Sequence, residues 1–174
     1  CESLLTQWRK KLDINNLEST QFSGELKALD RQLIRLSKRH LRLAVFGRVG
    51  VGKSSLLNAL AGEEFFPTDV AHGCTRRMKS IIWNQQIRNL QTIELVDTPG
   101  IDEIAAVGRS RLAARVALNT DLIILVVDSD INVIELDAIE TLLQSGKPLL
   151  LALNRCDQWR HNEIKEVVRS IRRR

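Results

Sequence analysis

The residues best suited to chemistry form a glycine-rich segment at residues 47–54, which reads Gly-Arg-Val-Gly-Val-Gly-Lys-Ser. This spacing is typical of a loop whose backbone N–H groups surround a phosphate chain, because glycine permits a close approach of the backbone. A helix that starts after the loop adds the positive end of its dipole. Lys53 supplies a charge for the β- and γ-phosphates, and Ser54 offers a hydroxyl ligand to Mg²⁺. The predicted nucleotide-binding residues of this loop are Arg48, Val49, Gly50, Val51, Gly52, Lys53, Ser54 and Ser55.

A second motif, Asp97-Thr98-Pro99-Gly100, follows a predicted strand at residues 91–96. A carboxylate at the end of a strand beside the phosphate loop can hold Mg²⁺ through water, so Asp97 is a predicted metal ligand. The backbone N–H of Gly100 can reach a γ-phosphate. We expect Lys53 and Gly100 to serve catalysis.

The segment between these motifs, residues 65–77, is polar and aperiodic, which predicts a loop. Thr75 is the predicted remaining Mg²⁺ ligand and the third predicted catalytic residue, and Thr68 is the alternative. A loop whose hydroxyl reaches the metal only while a γ-phosphate is bound acts as a switch. A local hydrogen bond of Thr75 within a turn stays open as a simpler interpretation.

A third motif, Asn154-Arg155-Cys156-Asp157, follows a predicted strand at residues 149–153. The Asp157 carboxylate can accept hydrogen bonds from N1 and N2 of guanine, whereas adenine would leave it unpaired, which favours guanine strongly. Asn154 can brace the phosphate loop, and Arg155 can lie over the base plane. An ATPase or a kinase would require Asn154 and Asp157 to be coincidental.

Alternating apolar segments predict the elements that position these motifs. We expect strands at residues 41–46, 79–83, 91–96, 122–127 and 149–153, and helices at residues 56–60, 103–118, 132–144 and 164–171. Strands that alternate with helices indicate an α/β chain with a mostly parallel sheet covered on both faces, and the hairpin adds one antiparallel edge strand. The expected fold is the three-layer αβα sandwich of P-loop NTPases.

Residues 1–38 have a different pattern, typical of two amphipathic helices separated by Asn15 and Asn16. Their apolar positions are Leu5, Trp8, Leu12, Phe22, Leu26, Leu29, Leu33 and Leu36. We predict an N-terminal helical segment at residues 1–38 and a nucleotide-binding domain at residues 39–174. The apolar seam can pack on that domain, on a second copy or on a segment outside this sequence.

Composition limits the remaining classes. The net charge of +5 permits an acidic partner such as RNA or an anionic membrane without requiring one, since bound phosphates also call for positive charge. Cys1, Cys74 and Cys156 show neither a disulfide framework nor metal-ligand spacing, which favours a reducing cytoplasm. The longest aliphatic run, residues 122–127, is too short to cross a bilayer. We expect a cytoplasmic protein, with peripheral membrane contact open, and interpret the Cys1 start as that of a fragment rather than of a lipidated protein.

Together the three motifs resemble the G domain of the Ras-like P-loop GTPases, and in particular the Era-like, hydrophobic-substituted branch, over residues 41–170. The resemblance implies a Mg²⁺-dependent switch that binds GTP and GDP, hydrolyses GTP slowly and works in the cytoplasm on ribosomes, tRNA modification or membranes.

Four departures from that family qualify the resemblance. Arg155 replaces the usual Lys of the base motif but keeps a stacking stem, so guanine preference should survive. Ile101 stands where Ras-like proteins carry a catalytic Gln, and an aliphatic side chain cannot orient water. Gly50 replaces the Asn of potassium-activated relatives, which leaves potassium activation open. The fifth motif of the family is missing, so we expect a fragment.

The source of the missing catalytic group stays open. Arg48, Arg76 and His72 are candidates, although solvation or a salt bridge is the simpler role for each arginine. A partner or a G-domain dimer that supplies the group in trans is the leading hypothesis, and a non-catalytic, nucleotide-dependent scaffold is the alternative function. RNA, the ribosome or a membrane surface can contact the basic tail, whose residues are Arg169, Arg172, Arg173 and Arg174. The three tryptophans are expected to pack in the core or half-buried.

Overall fold

The computed structural model describes residues 2–11, 23–68, 78–87, 89–104 and 106–173. Several predicted features fall outside these ranges, namely the helix positions Leu12 and Phe22, the separating asparagines, and the loop candidates His72, Thr75 and Arg76. Within the described ranges, no helix combines the length and the apolar composition that a membrane crossing needs.

A five-stranded sheet forms the centre of the molecule. Its strands are β1 (His40–Phe46), β2 (Lys79–Trp83), β3 (Thr92–Asp97), β4 (Leu122–Val127) and β5 (Leu149–Leu153). Their spatial order is β2-β3-β1-β4-β5, and only the β2–β3 pair is antiparallel. The predicted mostly parallel sheet with one antiparallel edge strand is therefore confirmed.

The described helices are α1 (Glu2–Lys11), α2 (Ser23–Ser37), α3 (Lys53–Ala61), α4 (Ala106–Asn119), α5 (Val133–Gln144) and α6 (His161–Arg173). Three predicted helix starts were wrong. The helix expected from residue 56 begins at Lys53, directly after the phosphate loop. The helix expected from residue 103 begins at Ala106, because residues 101–103 form a 3₁₀ turn whose Ile101 N–H donates to Gly47 O at 3.3 Å. The helix expected from residue 164 begins at His161, because the Glu163 carboxylate accepts from the Arg160 N–H at 2.7 Å and supports an earlier first turn.

Apolar side chains alternate along the strands and fill one core on each face of the sheet. One face packs against α4 and α5 and buries Phe46, Ile101, Leu125 and Leu142. The opposite face packs against α3 and buries Val45, Leu57, Leu95 and Val126. This arrangement is the predicted three-layer αβα sandwich.

Helix α2 is attached to the sheet by polar contacts that cross the predicted boundary at residue 38. The Arg35 guanidinium donates from Nε and Nη2 to the two oxygens of Asp121, at 3.2 Å each, and both side chains are largely buried. Asp121 Oδ2 also accepts from the Arg42 N–H at 2.8 Å. Gln32 Nε2 donates to Leu118 O, near the end of α4, at 3.1 Å. Helix α2 thus contacts the nucleotide-binding domain through these polar side chains.

Helix α1 lies on α2 through the Arg9–Asp30 ion pair, whose Nε–Oδ1 distance is 2.9 Å. The side chain of Trp8, on the same helix, is 54% exposed. The expectation that Trp8 packs in the core or half-buried was therefore wrong, whereas Trp83 and Trp159 are half-buried.

Replacing Asp121 tests how firmly α2 belongs to the folded unit. Asp121→Ala leaves the buried Arg35 guanidinium and the Arg42 N–H without their acceptor, so we expect a loss of about 2–4 kcal/mol in the free energy of unfolding. Urea denaturation measures this loss. Asp137→Ala, an exposed carboxylate on α5, serves as the control and should stay within about 0.5 kcal/mol of the unmodified protein. Equal midpoints for both variants would contradict the assignment.

Candidate functional site

The phosphate loop leaves β1 and enters α3 through positions that exclude any side chain. Gly47 has a φ of +148°, and a Cβ there would lie 2.3 Å from Val126 O of β4. Gly52 has a φ of +92°, and its Cβ would lie 2.3 Å from Asn154 Nδ2. Glycine is thus required at both ends of the loop for conformation and for space.

Lys53 and Ser54 open α3 and lie beside the second motif. Lys53 is only 7% exposed, and its Nζ donates to Arg48 O at 2.6 Å, so the ammonium lies inside the loop. Ser54 Oγ donates to Asp97 Oδ2 at 2.7 Å, and Asp97 is fully buried at the end of β3. The structure therefore brings together two of the predicted Mg²⁺ ligands. Thr75 lies outside the described residues, and Thr68 is exposed.

The second motif packs directly on the phosphate loop. A Cβ on Gly100 would lie 2.2 Å from Val49 Cγ2 and 2.8 Å from Val49 N. The Val49 N–H donates to Asp102 Oδ1 at 2.7 Å. Asp102 was missed from the sequence, because no motif marks a carboxylate two positions after the glycine.

Ile101 lies between Gly100 and Asp102, but its side chain is fully buried in the core with Phe46 and Leu125. The position compared above with the catalytic Gln of Ras-like proteins therefore contributes to packing in this chain.

The base motif meets the loop from the end of β5. Asn154 Nδ2 donates to Val51 O at 2.8 Å, which is the bracing contact predicted from the sequence. Arg155 has a φ of +55°, and its Nη2 donates to Gly50 O. Asp157 lies exposed in the 3₁₀ turn Cys156–Gln158. The guanidinium predicted to cover the base plane thus contacts the loop backbone.

Arg48 is held by two carboxylates. Its Nε donates to Glu135 Oε1 and its Nη2 to Asp128 Oδ1, both at 2.9 Å. The hydrogen bond to Glu135, which outweighs the effect of burial, raises the pKa of Arg48 above its ordinary value. Of the two roles considered for Arg48, the structure shows the salt bridge. Both carboxylates were missed; the Asn132-x-x-Glu135 spacing signals a helix cap but does not reveal an arginine partner.

All these groups lie at one edge of the sheet, because parallel strands place their carboxyl ends together. The phosphate loop follows β1, Asp97 ends β3, Asp128 follows β4 and Asn154 follows β5. This edge is where open α/β sheets bind ligands. The arrangement combines a backbone loop with a buried ammonium, a hydroxyl–carboxylate pair suited to a hard cation, and an exposed carboxylate beyond them.

Comparison with known proteins gives curated relatives that include two GTPases covering most of this chain. GTPase Der from Rhizobium leguminosarum bv. trifolii is 27% identical over 157 residues, which span 86% of this chain and 33% of the relative. The tRNA modification GTPase MnmE from Natranaerobius thermophilus is 30% identical over 163 residues, which span 90% of this chain and 32% of the relative. The chain thus spans about one third of each of these relatives.

A solved structure of Era, in complex with MgGDPNP and part of 16S ribosomal RNA, has the same fold. Its TM-score is 0.62 at 25% sequence identity, with 77% of this chain and 46% of the Era chain covered. Residues 42–155 also match the family model described as "50S ribosome-binding GTPase". That range contains the phosphate loop, the Asp97 motif and the start of the base motif, and the chain belongs to this family of P-loop GTPases.

Proposed function

We propose that the chain is a Mg²⁺-dependent GTP-binding protein that hydrolyses GTP slowly to GDP and phosphate and acts as a conformational switch. The observation that carries this proposal is the convergence of three groups at one sheet edge. They are the buried Lys53 ammonium, the Ser54–Asp97 pair and the Asn154 side chain bonded to the loop. Family membership and the Era complex with MgGDPNP support the same function.

The phosphate chain is proposed to occupy the loop of residues 48–55. Lys53 Nζ now donates to Arg48 O at 2.6 Å, so the ammonium already lies where it can also meet phosphate oxygens. The start of α3 at Lys53 presents the positive end of the helix dipole to the anion.

Ser54 and Asp97 are the residues proposed to hold Mg²⁺, with Thr75 as the third ligand and γ-phosphate sensor. A hydroxyl and a carboxylate in direct contact provide the oxygen donors that this hard cation prefers. When bound, Mg²⁺ neutralises charge on the β- and γ-phosphate oxygens. Gly100, which packs on Val49 of the loop, is proposed to offer its N–H to the γ-phosphate. The second motif would then lose this contact when GTP is hydrolysed to GDP.

Guanine selection is assigned to the base motif. Asp157 is exposed in a turn whose preceding residues, Asn154 and Arg155, are both bonded to the phosphate loop. These two bonds tie the turn to the phosphate loop, which supports the proposal that the Asp157 carboxylate accepts from N1 and N2 of guanine.

Slow hydrolysis is proposed because two side chains near the phosphate loop are engaged in other contacts. Ile101 is buried in the core and Arg48 is paired with two carboxylates. Neither of them is placed to orient water or to offset transition-state charge. We therefore propose that a partner or a second G domain supplies the missing group in trans. The buried Ile101 also favours a second candidate function, a nucleotide-dependent scaffold without turnover.

We propose that the protein binds RNA or the ribosome in the cytoplasm, with a membrane surface as the alternative partner. Exposed cationic side chains at helical spacing on α6 support an anionic partner; they are Lys165, Arg169, Arg172 and Arg173. The Era complex with 16S ribosomal RNA and the tRNA-modifying relative point in the same direction. We further propose that residues 1–38 are a helical segment attached to the G domain at residues 39–174.

Removal of the loop ammonium tests nucleotide binding. Lys53→Ala deletes the charge buried in the loop, so we expect the Kd of fluorescent GDP and GTP analogues to rise about 100-fold or more. Fluorescence titration measures both constants. Lys38→Ala, an exposed lysine in the turn after α2, is the matched control and should keep the affinity of the unmodified protein. Unchanged affinity in Lys53→Ala would show that nucleotides bind elsewhere.

Substitution of the base-reading carboxylate tests specificity. Asp157→Asn turns an acceptor towards guanine N1 and N2 into an amide, so GDP affinity should fall while ADP affinity stays low. We expect the GDP-to-ADP preference, on the order of 10⁴ in the unmodified protein, to shrink about 100-fold. Competition against a fluorescent nucleotide gives both constants, with Asp137→Asn as the exposed control. Equal binding of GDP and ADP by the unmodified protein would contradict guanine selection.

Phosphate release separates the two candidate functions. With Ile101 buried, intrinsic GTP turnover should be on the order of 10⁻⁴ to 10⁻³ per second. Addition of a cytoplasmic extract should accelerate it, and the Lys53→Ala protein in the same extract corrects for other GTPases. Zero turnover in both conditions would support the scaffold and contradict the switch.

A further inference from the structure

A chain of ionic contacts connects the first turn of α5 to the base motif. Arg48 Nε contacts Glu135 Oε1 at 2.9 Å, and Arg48 Nη2 contacts Asp128 Oδ1 at 2.9 Å. The other oxygen of Asp128 faces Arg155 Nη1 at 3.6 Å. Arg155 finally donates from Nη2 to Gly50 O of the phosphate loop. Four charged side chains of alternating sign therefore run from α5 to Arg155.

Glu135 is the innermost member of this chain and is completely buried. Its two oxygens have separate partners: Oε2 accepts from the Asn132 N–H at 2.9 Å and closes the cap of α5, while Oε1 accepts from Arg48. A helix cap is satisfied by the first contact alone. The second contact offsets the cost of burying the Glu135 charge, and it holds the Arg48 side chain in one position.

Asp128 connects Arg48 to the base motif. It lies directly after β4, between the ends of β1 and β5, and each of its oxygens faces a different arginine. If Arg48 were released, the carboxylate would lose the partner that orients it towards Arg155.

Arg155 connects this chain of ionic contacts to the segment proposed to select guanine. It adopts a left-handed backbone conformation at the start of the 3₁₀ turn that carries Asp157. Its guanidinium is tied to the loop carbonyl of Gly50 and to Asp128 at once. The orientation of this side chain therefore affects the separation between the phosphate loop and the base-reading carboxylate.

We infer that Glu135 is a positioning residue for guanine-nucleotide binding, which acts through Arg48 and Asp128 to hold Arg155 and the Asp157 turn against the phosphate loop. The inference rests on the proposed nucleotide function. It assigns to a buried helix-cap carboxylate a role in nucleotide retention that its own contacts with α5 do not require.

Two variants separate this role from capping. Glu135→Gln keeps an oxygen for the Asn132 N–H but cannot accept Arg48 as a charge partner. Asn132→Ala removes the cap side chain and leaves the Arg48–Glu135 pair in place. We expect Glu135→Gln to raise the dissociation rate of fluorescent GDP about tenfold, measured by stopped flow with excess unlabelled GDP. Asn132→Ala should lower the Tm but change that rate less than about twofold. An unchanged rate in Glu135→Gln, or equal acceleration in both variants, would overturn the inference.

A double-mutant cycle tests the path through Arg155. Among the described residues, the ionic contacts that connect Glu135 to Arg155 run through Arg48 and Asp128. In an Arg155→Met background, Glu135→Gln should therefore accelerate GDP release less than about twofold, instead of about tenfold. A full tenfold effect in that background would overturn the path. If the unmodified protein does not bind GDP, the proposed function and this inference both fail; if it binds and the cycle is additive, the inference alone fails.

Discussion

The hydrogen-bonded contact between the phosphate loop and the end of β5 is the constraint on which the rest of the site depends. Asn154 occupies the space that a side chain at Gly52 would need, and its amide donates to Val51 O at 2.8 Å. A side chain at Gly47 would likewise collide with Val126 O of β4. The loop is therefore fixed between two strand ends before any ligand arrives, which lowers the cost of ordering it on binding.

The elements that depend on local patterns were predictable. Strands β4 and β5 match the predicted bounds at residues 122–127 and 149–153, because each of them is a continuous apolar run in the sequence. The phosphate loop was equally accessible, since its spacing is set by a turn between adjacent elements. Starts of helices were less accessible: the Glu163 carboxylate that supports the first turn of α6 is one exposed acidic residue among many.

The ionic contacts could not be predicted, because they join residues whose proximity depends on the order of the strands. Arg48 and Glu135 are 87 positions apart, and Arg35 and Asp121 are 86 apart. Each pair requires β4 to lie beside β1, and no spacing in the sequence indicates that these two strands are adjacent. The loop sequence marks Arg48 as a candidate cation, but only the fold shows that Glu135 and Asp128 already compensate its charge.

This use of Arg48 and Ile101 has a consequence for the balance between binding and turnover. Catalysis of phosphoryl transfer needs groups that gain interactions only in the transition state. Here the arginine of the phosphate loop, Arg48, is already bound to two carboxylates, and the residue after Gly100 is packed into the core. Both arrangements stabilise the loop without favouring the transition state. If the chain binds GTP as proposed, the described part of the site therefore favours retention of the nucleotide, and faster hydrolysis requires a group that these two residues do not provide.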